Sequence, residues 1–246
     1  MKIDVVMPTF NSNKPWFKLV LRGIRNFIPL NRLIVVDGGS TDGTVEIIKE
    51  VLRDRTEIYV APSANLAYAR YIGIRNVETE VFAFIDSDTL ILPQWFKTLS
   101  KLIKKNYIGA VEGGLMASRA LSEVGIKKLL TKKESELTRI MPKLSVANIS
   151  PGFAVRYGLF WWIRGQTVNT LIKREAVEGW RPNPLMGAFE DLSLTQYVIQ
   201  RGYKWVYYDD VLAIHFDEHV KLPIRKALRK GLWHGANINF ILTSGL

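Results

Sequence analysis

Two carboxylates one residue apart close an apolar run in Val81-Phe82-Ala83-Phe84-Ile85-Asp86-Ser87-Asp88. Residues i and i+2 of a strand point to one side, so Asp86 and Asp88 would offer the hard oxygen ligands that Mg²⁺ or Mn²⁺ prefers. A metal held there can grip a diphosphate. Two other apolar runs end in polar, turn-forming clusters: Pro8-Thr9-Phe10-Asn11 and Asp37-Gly38-Gly39-Ser40-Thr41-Asp42-Gly43-Thr44. Later, Glu190-Asp191 precedes an apolar helical pattern, where a carboxylate could take the proton of an acceptor hydroxyl. Each cluster alone has a plainer reading. Asp37 and Asp42 suit turns and helix caps, Asp-Ser-Asp suits a loop, and Glu190-Asp191 suits a helix start that faces the macrodipole. Taken together and in this order, three polar strand ends define one rim, and open α/β sheets bind ligands beyond the carboxyl ends of their strands.

The elements that must position these residues are readable from apolar spacing. Ile3–Met7 reads as a buried strand, and Trp16, Val20, Ile24 and Phe27 recur at near-helical intervals. Leu33–Val36 is a second strand, followed by Ser40-Thr41-Asp42 as capping chemistry for a helix carrying Val45, Ile48 and Leu52. Glu57–Val60 is a third strand, Ala67, Tyr71 and Ile74 mark a helix, and Val81–Ile85 is a fourth strand. Pro93 can open a helix whose core face would be Phe96, Leu99 and Ile103. Strands alternating with helices predict a largely parallel sheet covered on both faces. The pattern degrades over 115–160 and recovers near Trp180. A helix follows around Leu192–Gln200, with strands near Trp205–Tyr208 and Val211–Ile214 and a basic helix from about Leu222 to Leu232.

The ordered set resembles glycosyltransferase family 2, the inverting nucleotide-sugar enzymes of GT-A fold. That family typically shows Pro-Thr-Tyr/Phe-Asn after the first strand and Val-Asp-Asp-Gly-Ser-Thr-Asp-Gly-Thr after the second. An Ala-Arg-Asn-x-Gly helix, an Asp-x-Asp and a later Glu-Asp follow. The counterparts here are Pro8-Thr9-Phe10-Asn11, Val36 to Thr44, Ala69-Arg70-Tyr71-Ile72-Gly73, Asp86-Ser87-Asp88 and Phe189-Glu190-Asp191, over about residues 3 to 215. The resemblance implies an α/β fold with a Rossmann-like, mostly parallel central sheet flanked by helices. It implies one domain over 1–246, with a nucleotide-sugar half over 1–110 and an irregular acceptor half over 111–246.

It also implies roles. Pro8, Thr9 and Asn11 would line the nucleotide pocket, and Asp37 would accept the imide N–H of a pyrimidine or guanine base. Arg70 would lie near the base or phosphates, and Asp86 and Ser87 would face the donor. Asp86, Asp88 and His215 would hold Mn²⁺ or Mg²⁺; a strand-end histidine with a local hydrogen bond is the other reading of His215. Asp191 would be the catalytic base, with Glu190 second. The activity implied is inverting, metal-dependent transfer of a sugar from a UDP- or GDP-linked donor to a hydroxyl or polyprenyl-phosphate acceptor. The chain departs from the pattern at Gly38, where an Asp is usual, and at Tyr71, where an Asn is usual. These departures keep open a nucleotide-sugar-binding protein without turnover.

Composition narrows the partners. The net charge of +11 suits nucleic acid, an anionic membrane surface or phosphorylated substrates. Clustered carboxylates at the rim argue against a nucleic-acid module, whose mark is a basic stripe interleaved with stacking aromatics. Nucleotidyltransfer usually brings a Gly-rich, basic phosphate loop, which Pro8-Thr9-Phe10-Asn11 is not. The chain has no cysteine, which excludes disulfides and thiolate metal sites. No apolar run reaches the roughly 18 residues of a membrane span, and the N-terminal apolar stretch is too short for a signal peptide. The stretch Ile238-Asn239-Phe240-Ile241-Leu242 could open a segment that continues past residue 246. Arg225, Lys226, Arg229 and Lys230 put two basic pairs on adjacent helical faces, able to close over a diphosphate or to lie on an anionic membrane. The stretch from Gly152 to Arg164 brings five aromatics together with two arginines, Arg156 and Arg164, which suits a core, an acceptor site or a water–lipid boundary. The expected location is the cytoplasm, at the inner face of the cell membrane.

Overall fold

A computed structural model of the chain describes residues 1–117, 153–156, 165–183 and 190–216. The first 85 residues form four strands, β1 (Ile3–Thr9), β2 (Leu30–Asp37), β3 (Thr56–Val60) and β4 (Val81–Ile85). Helices α1 (Phe17–Phe27), α2 (Thr44–Leu52) and α3 (Leu66–Arg75) connect them. All pairings among these strands are parallel, in the spatial order β3-β2-β1-β4. The period-two side-chain alternation of a strand sorts the core into two layers. Ile3, Val5, Met7, Leu33, Val35, Ala83 and Ile85 face the layer of α1 and α2, whereas Val6, Ile34, Phe82 and Phe84 face the layer of α3. A one-residue slip would exchange the two faces, so packing on both sides fixes the register.

The second half adds strands that the sequence pattern does not reveal. After β4 come β5 (Thr89–Ile91), helix α4 (Trp95–Ile103) and β6 (Ile108–Ala117). Then follow β7 (Phe153–Arg156), β8 (Asn169–Lys173), helices α5 (Arg174–Val177) and α6 (Glu190–Gln200), and β9 (Lys204–His215). The sheet continues β4-β8-β6-β9-β5, with β7 also paired to β9. Strand β8 runs antiparallel to both neighbours, and β5 and β7 run antiparallel to β9. The parallel sheet expected from the alternation therefore holds through β4 and becomes mixed beyond it. The two strands expected near 205–208 and 211–214 are one strand, β9. A register shift where Tyr208 and Val211 face Gly113 and Gly114 marks an irregularity of β-bulge type in it.

Two local expectations change. The buried stripe of α4 is Trp95, Leu99 and Ile103, and Phe96 is only partly buried. Spacing of i, i+4 and i+8 selects that stripe, and Phe96 sits one residue off it. The cap of α2 is indirect: Asp42 Oδ1 accepts from the Thr44 N–H (3.1 Å) and hydroxyl (2.5 Å), while Gly43 between them takes a positive φ of 85°. The basic helix, with Arg229 and Lys230, lies outside the described residues, as do His219, His234, Lys127, Lys128, Lys132, Lys133 and most of the aromatic stretch. Among the described residues no helix is long and apolar enough to cross a membrane.

Gly73 explains the glycine in the Ala-Arg-x-x-Gly segment. A Cβ there would lie 2.2 Å from Val6 Cγ1, so only glycine lets α3 settle on β1. Overpacking costs about 1–3 kcal/mol, against roughly 1 kcal/mol of helix propensity gained by alanine. Gly73→Ala is therefore expected to lower stability in urea unfolding. Val6→Ala in the same chain should relieve part of that loss, giving a double variant more stable than the sum of the single effects.

Candidate active site

The rim begins with two loops stitched together by side chains. Asp37, 1% exposed, accepts four hydrogen bonds. Thr9 Oγ1 (2.7 Å) and Ser40 Oγ (2.6 Å) donate to Oδ1; the N–H groups of Gly39 (3.0 Å) and Ser40 (2.7 Å) donate to Oδ2. Burial pushes this carboxyl upward, yet the bonds from Ser40, Thr9 and Gly39 outweigh it and hold the carboxyl below its usual range. Asn11 takes a positive φ of 49°, a region asparagine tolerates. It donates its N–H to Ser40 Oγ (2.8 Å) and accepts from the Thr41 N–H (3.0 Å). The Ser12 N–H donates to Thr44 Oγ1 (2.8 Å), and the Ser12 hydroxyl meets that of Ser87 at 2.9 Å, which brings in the loop after β4. A pocket of about 330 Å³ opens beside these loops, lined by Pro8, Thr9, Phe10, Gly38, Pro62 and Leu66 among others. Its volume and apolar wall suit a planar heterocycle.

Deeper in the rim, Arg70 of α3 is 2% exposed. Its Nη2 donates to both oxygens of Asp86, at 2.9 and 3.1 Å, and its Nη1 donates to Glu190 at the start of α6. The guanidinium also lies over the Phe84 ring, 5.8 Å from its centroid. Burial disfavours the charge, but Asp86, Glu190 and Asp191 more than offset it and raise the guanidinium above its ordinary value. One cation of α3 thus joins the end of β4 to the start of α6, with Glu190 lying 120 residues from Arg70 in the chain. For Asp86, burial pushes the carboxyl up, Arg70 pulls it down, and Asp88 and Glu190 push it up again. Three carboxylates gathered around one guanidinium, with Asp88 beside Asp86, make a negative rim.

Asp86 and Asp88 do not share a face. The strand ends at Ile85, and the Thr89 N–H donates to the Asp86 carbonyl (3.0 Å), so the chain turns between the two carboxylates and strand alternation no longer applies. Asp86 turns to Arg70. Asp88, whose side chain is 40% exposed, lies 3.4 Å from His215 Nε2. Backbone pairing sets that second contact: Thr89 faces His215 across β5 and β9, and the Phe216 N–H donates to the Asp88 carbonyl (2.8 Å). Phe216 also stacks on Trp16, with ring centroids 5.2 Å apart. Among the described residues no three His, Asp or Glu side chains gather closely enough to hold a metal by themselves. A carboxylate beside an imidazole, on a rim rich in negative charge, nevertheless fits a divalent ion that completes its shell with phosphate oxygens and water.

Glu190 and Asp191 open α6, 5% and 8% exposed. Glu190 is committed to Arg70. Asp191 Oδ1 accepts from the Leu192 N–H (2.9 Å), and its carbonyl accepts from the Thr195 hydroxyl (2.6 Å). The helix N-terminus favours a carboxylate at this position.

The structure thus gathers Pro8, Thr9, Asn11, Asp37, Arg70, Asp86, Ser87, Asp88, Glu190, Asp191 and His215 along connected strand and helix ends. Arg70 is buried between carboxylates and is not among the described residues that line the pocket beside Phe10. Sequence reasoning missed the hydroxyls of Ser12 and Ser40, the Trp16–Phe216 stack, and two buried polar anchors. Glu112 Oε2 accepts from the Gln166 N–H (2.6 Å) and Trp205 Nε1 (2.9 Å), and Asn169 Oδ1 accepts from Trp95 Nε1 and the Gly113 N–H (3.0 Å each). Glu112, Asn169 and the Ser12 pair had only one sequence signal, a polar residue beside an apolar run, which is too common to select them.

The architecture has counterparts among solved structures. Staphylococcus aureus TarS (residues 1–349, in complex with UDP-GlcNAc) superposes with a TM-score of 0.62 at 14% identity, covering 90% of this chain and 60% of that one. The mannosyltransferase PcManGT from Pyrobaculum calidifontis, in complex with GDP-Man and Mn²⁺, gives 0.61 at 17% identity, covering 96% and 69%. The shared feature is the GT-A fold. In sequence, Haloferax volcanii glycosyltransferase AglE is 24% identical over 234 residues, 91% of this chain and 71% of AglE. The family model for glycosyl transferase family 2 matches residues 4–164, well over half of the chain. That span takes in the stitched loops after β1 and β2, the Arg70 helix and the Asp86–Asp88 turn, and on these grounds the chain belongs to glycosyl transferase family 2.

Proposed function

We propose that the chain transfers a sugar, with inversion, from a nucleotide-diphosphate sugar to an acceptor hydroxyl or a lipid-linked phosphate. The observation that carries this reading is the single connected rim. An apolar base-sized pocket, the Asp88–His215 pair and the Glu190–Asp191 helix start are linked through Ser12–Ser87 and Arg70. A UDP- or GDP-linked donor is supported by the UDP-GlcNAc and GDP-Man held by two structural neighbours. The Mn²⁺ of the second neighbour supports a cation at Asp88 and His215. Such a cation would offset the charge that grows on the leaving diphosphate.

In this reading Asp191 takes the proton of the acceptor hydroxyl as it attacks the anomeric carbon from the face opposite the diphosphate. The anomeric centre passes through an oxocarbenium-like state. Glu190, occupied by Arg70, orients the start of α6 rather than moving a proton. A lipid-linked phosphate acceptor is already ionised near neutral pH and asks much less of Asp191. The +11 charge supports peripheral contact with an anionic membrane surface on the cytoplasmic side, with Arg229 and Lys230 near the diphosphate.

Asp88→Ala is expected to lose both turnover and the Mn²⁺-dependent part of nucleotide binding in calorimetric titration; normal turnover of that variant in EDTA would remove the cation from the reading. Asp191→Asn should lose about 10²–10⁴-fold in turnover on a hydroxyl acceptor while binding donor normally, and unimpaired transfer would show that another group is the base. Glu190→Gln should behave differently. It leaves Arg70 half-paired in a buried site, so unfolding free energy should fall by about 3–5 kcal/mol, with catalysis reduced through stability and donor affinity together.

A further inference from the structure

Asp37 lies beside the proposed base pocket, and its hydrogen-bonding capacity is already spent. An ionised carboxylate offers about four lone-pair sites. All four are matched by donors of the protein itself: Thr9 Oγ1, Ser40 Oγ and the N–H groups of Gly39 and Ser40. The group is 1% exposed, and its depressed proton affinity agrees with full solvation by its own loop. Among the described residues, those that line the pocket are all uncharged, Pro8, Thr9, Phe10, Gly38, Pro62 and Leu66 among them. Among them the one hydroxyl, that of Thr9, is turned to Asp37 as donor. The Gly38 N–H is committed to the Thr9 carbonyl (2.8 Å). Gly38 has no side chain to offer, and a Cβ there would stand 3.1 Å from Phe10 Cδ2. Phe10 itself is 65% exposed, an aromatic face with nothing stacked on it among the described ring contacts.

We propose that Asp37 is a positioning residue that folds the nucleotide loop, and that this site takes its nucleobase by shape and apolar contact with Phe10 over Gly38, with no carboxylate reading the imide N–H. The proposal rests on the reading of this pocket as the base site. It assigns Asp37 a different task from the one its place in the motif implies. It also predicts a particular pattern of selectivity: the imide proton of uracil or guanine contributes little, whereas the bulk and planarity of the base contribute much.

The test is calorimetric titration with UDP, GDP and their imide-methylated forms, N3-methyl-UDP and N1-methyl-GDP, on the wild-type chain and on Asp37→Asn. A hydrogen bond to a charged group is worth roughly tenfold to a hundredfold in affinity. If Asp37 folds the loop, Asp37→Asn weakens parent and methylated nucleotides alike, and their affinity ratio stays within about threefold of the wild-type ratio. If Asp37 reads the base, the variant loses at least tenfold for the parent and nothing for the methylated form, which overturns the proposal. Should Asp37→Asn fail to fold, Ser40→Ala takes its place. That change removes one donor from Asp37 and loosens its placement, so a tenfold loss selective for the parent nucleotide overturns the proposal, and an equal effect on both, or a gain selective for the parent as a site on Asp37 is freed, supports it. Failure of every nucleotide to bind the wild-type chain overturns the base-site reading itself, and the proposal with it.

Discussion

A buried guanidinium needs carboxylate partners, and that requirement organises this molecule: both Nη groups of Arg70 are paired, while its Nε has no hydrogen-bond partner among the described residues. Arg70 sits inside the protein with Asp86 on one edge and Glu190 on the other. Removing either partner would leave an uncompensated charge in a poorly solvated place, at a cost of several kcal/mol. The bridge therefore does more than hold two segments together. It fixes where α6 begins and so where Asp191 stands. It also draws Asp86 inward, which leaves Asp88 as the carboxylate that faces His215 and solvent. A loop composition that reads as two equivalent ligands resolves into one structural and one outward-facing carboxylate.

The layout around this bridge follows from ordinary strand and helix packing. Parallel strands β1 to β4 bury both faces, and their carboxyl ends supply loops that cannot pair with one another through backbone alone. Side chains close the gap: Thr9, Asn11, Ser12, Ser40, Asp42 and Thr44 exchange hydrogen bonds across the two loops. Most of these are short polar residues whose oxygens lie close to the backbone, which is why the motif is rich in Ser, Thr, Asn and Asp. The sequence resemblance to glycosyltransferase family 2 is thus largely a record of how these loops hold each other.

Much of this is legible in the amino-acid sequence. The strands and helices through β4 fall where apolar spacing puts them, and so do α6 and the strand end at His215. What was not legible has common physical causes. Strands β6 and β8 pair with partners dozens of residues away, and a five-residue run such as Asn169 to Lys173 carries too little period-two signal to announce itself. One position of the α4 face differs, Trp95 in place of Phe96, because Trp95 and not Phe96 lies a helical i, i+4 step from Leu99. The Arg70–Glu190 contact joins residues 120 apart, and nothing local in either segment points to the other. Asp37 carried the opposite lesson. Its place in the motif was plain, but its four donors, and hence its capacity, became visible only with the loop folded.

Strands β6 and β8 are antiparallel neighbours, with Glu112 opposite Thr170, and β7, which lies between them in sequence, pairs with β9, so the chain from Ala117 to Asn169 starts, returns and finishes on one sheet. The excursion starts and finishes on one rigid frame, and doubling such a connection costs only about 0.6 kcal/mol in closure entropy. The sheet thus works as a frame: residues added between β6 and β8 leave the loops after β1 and β2, which are bound to one another by side chains, where they stand.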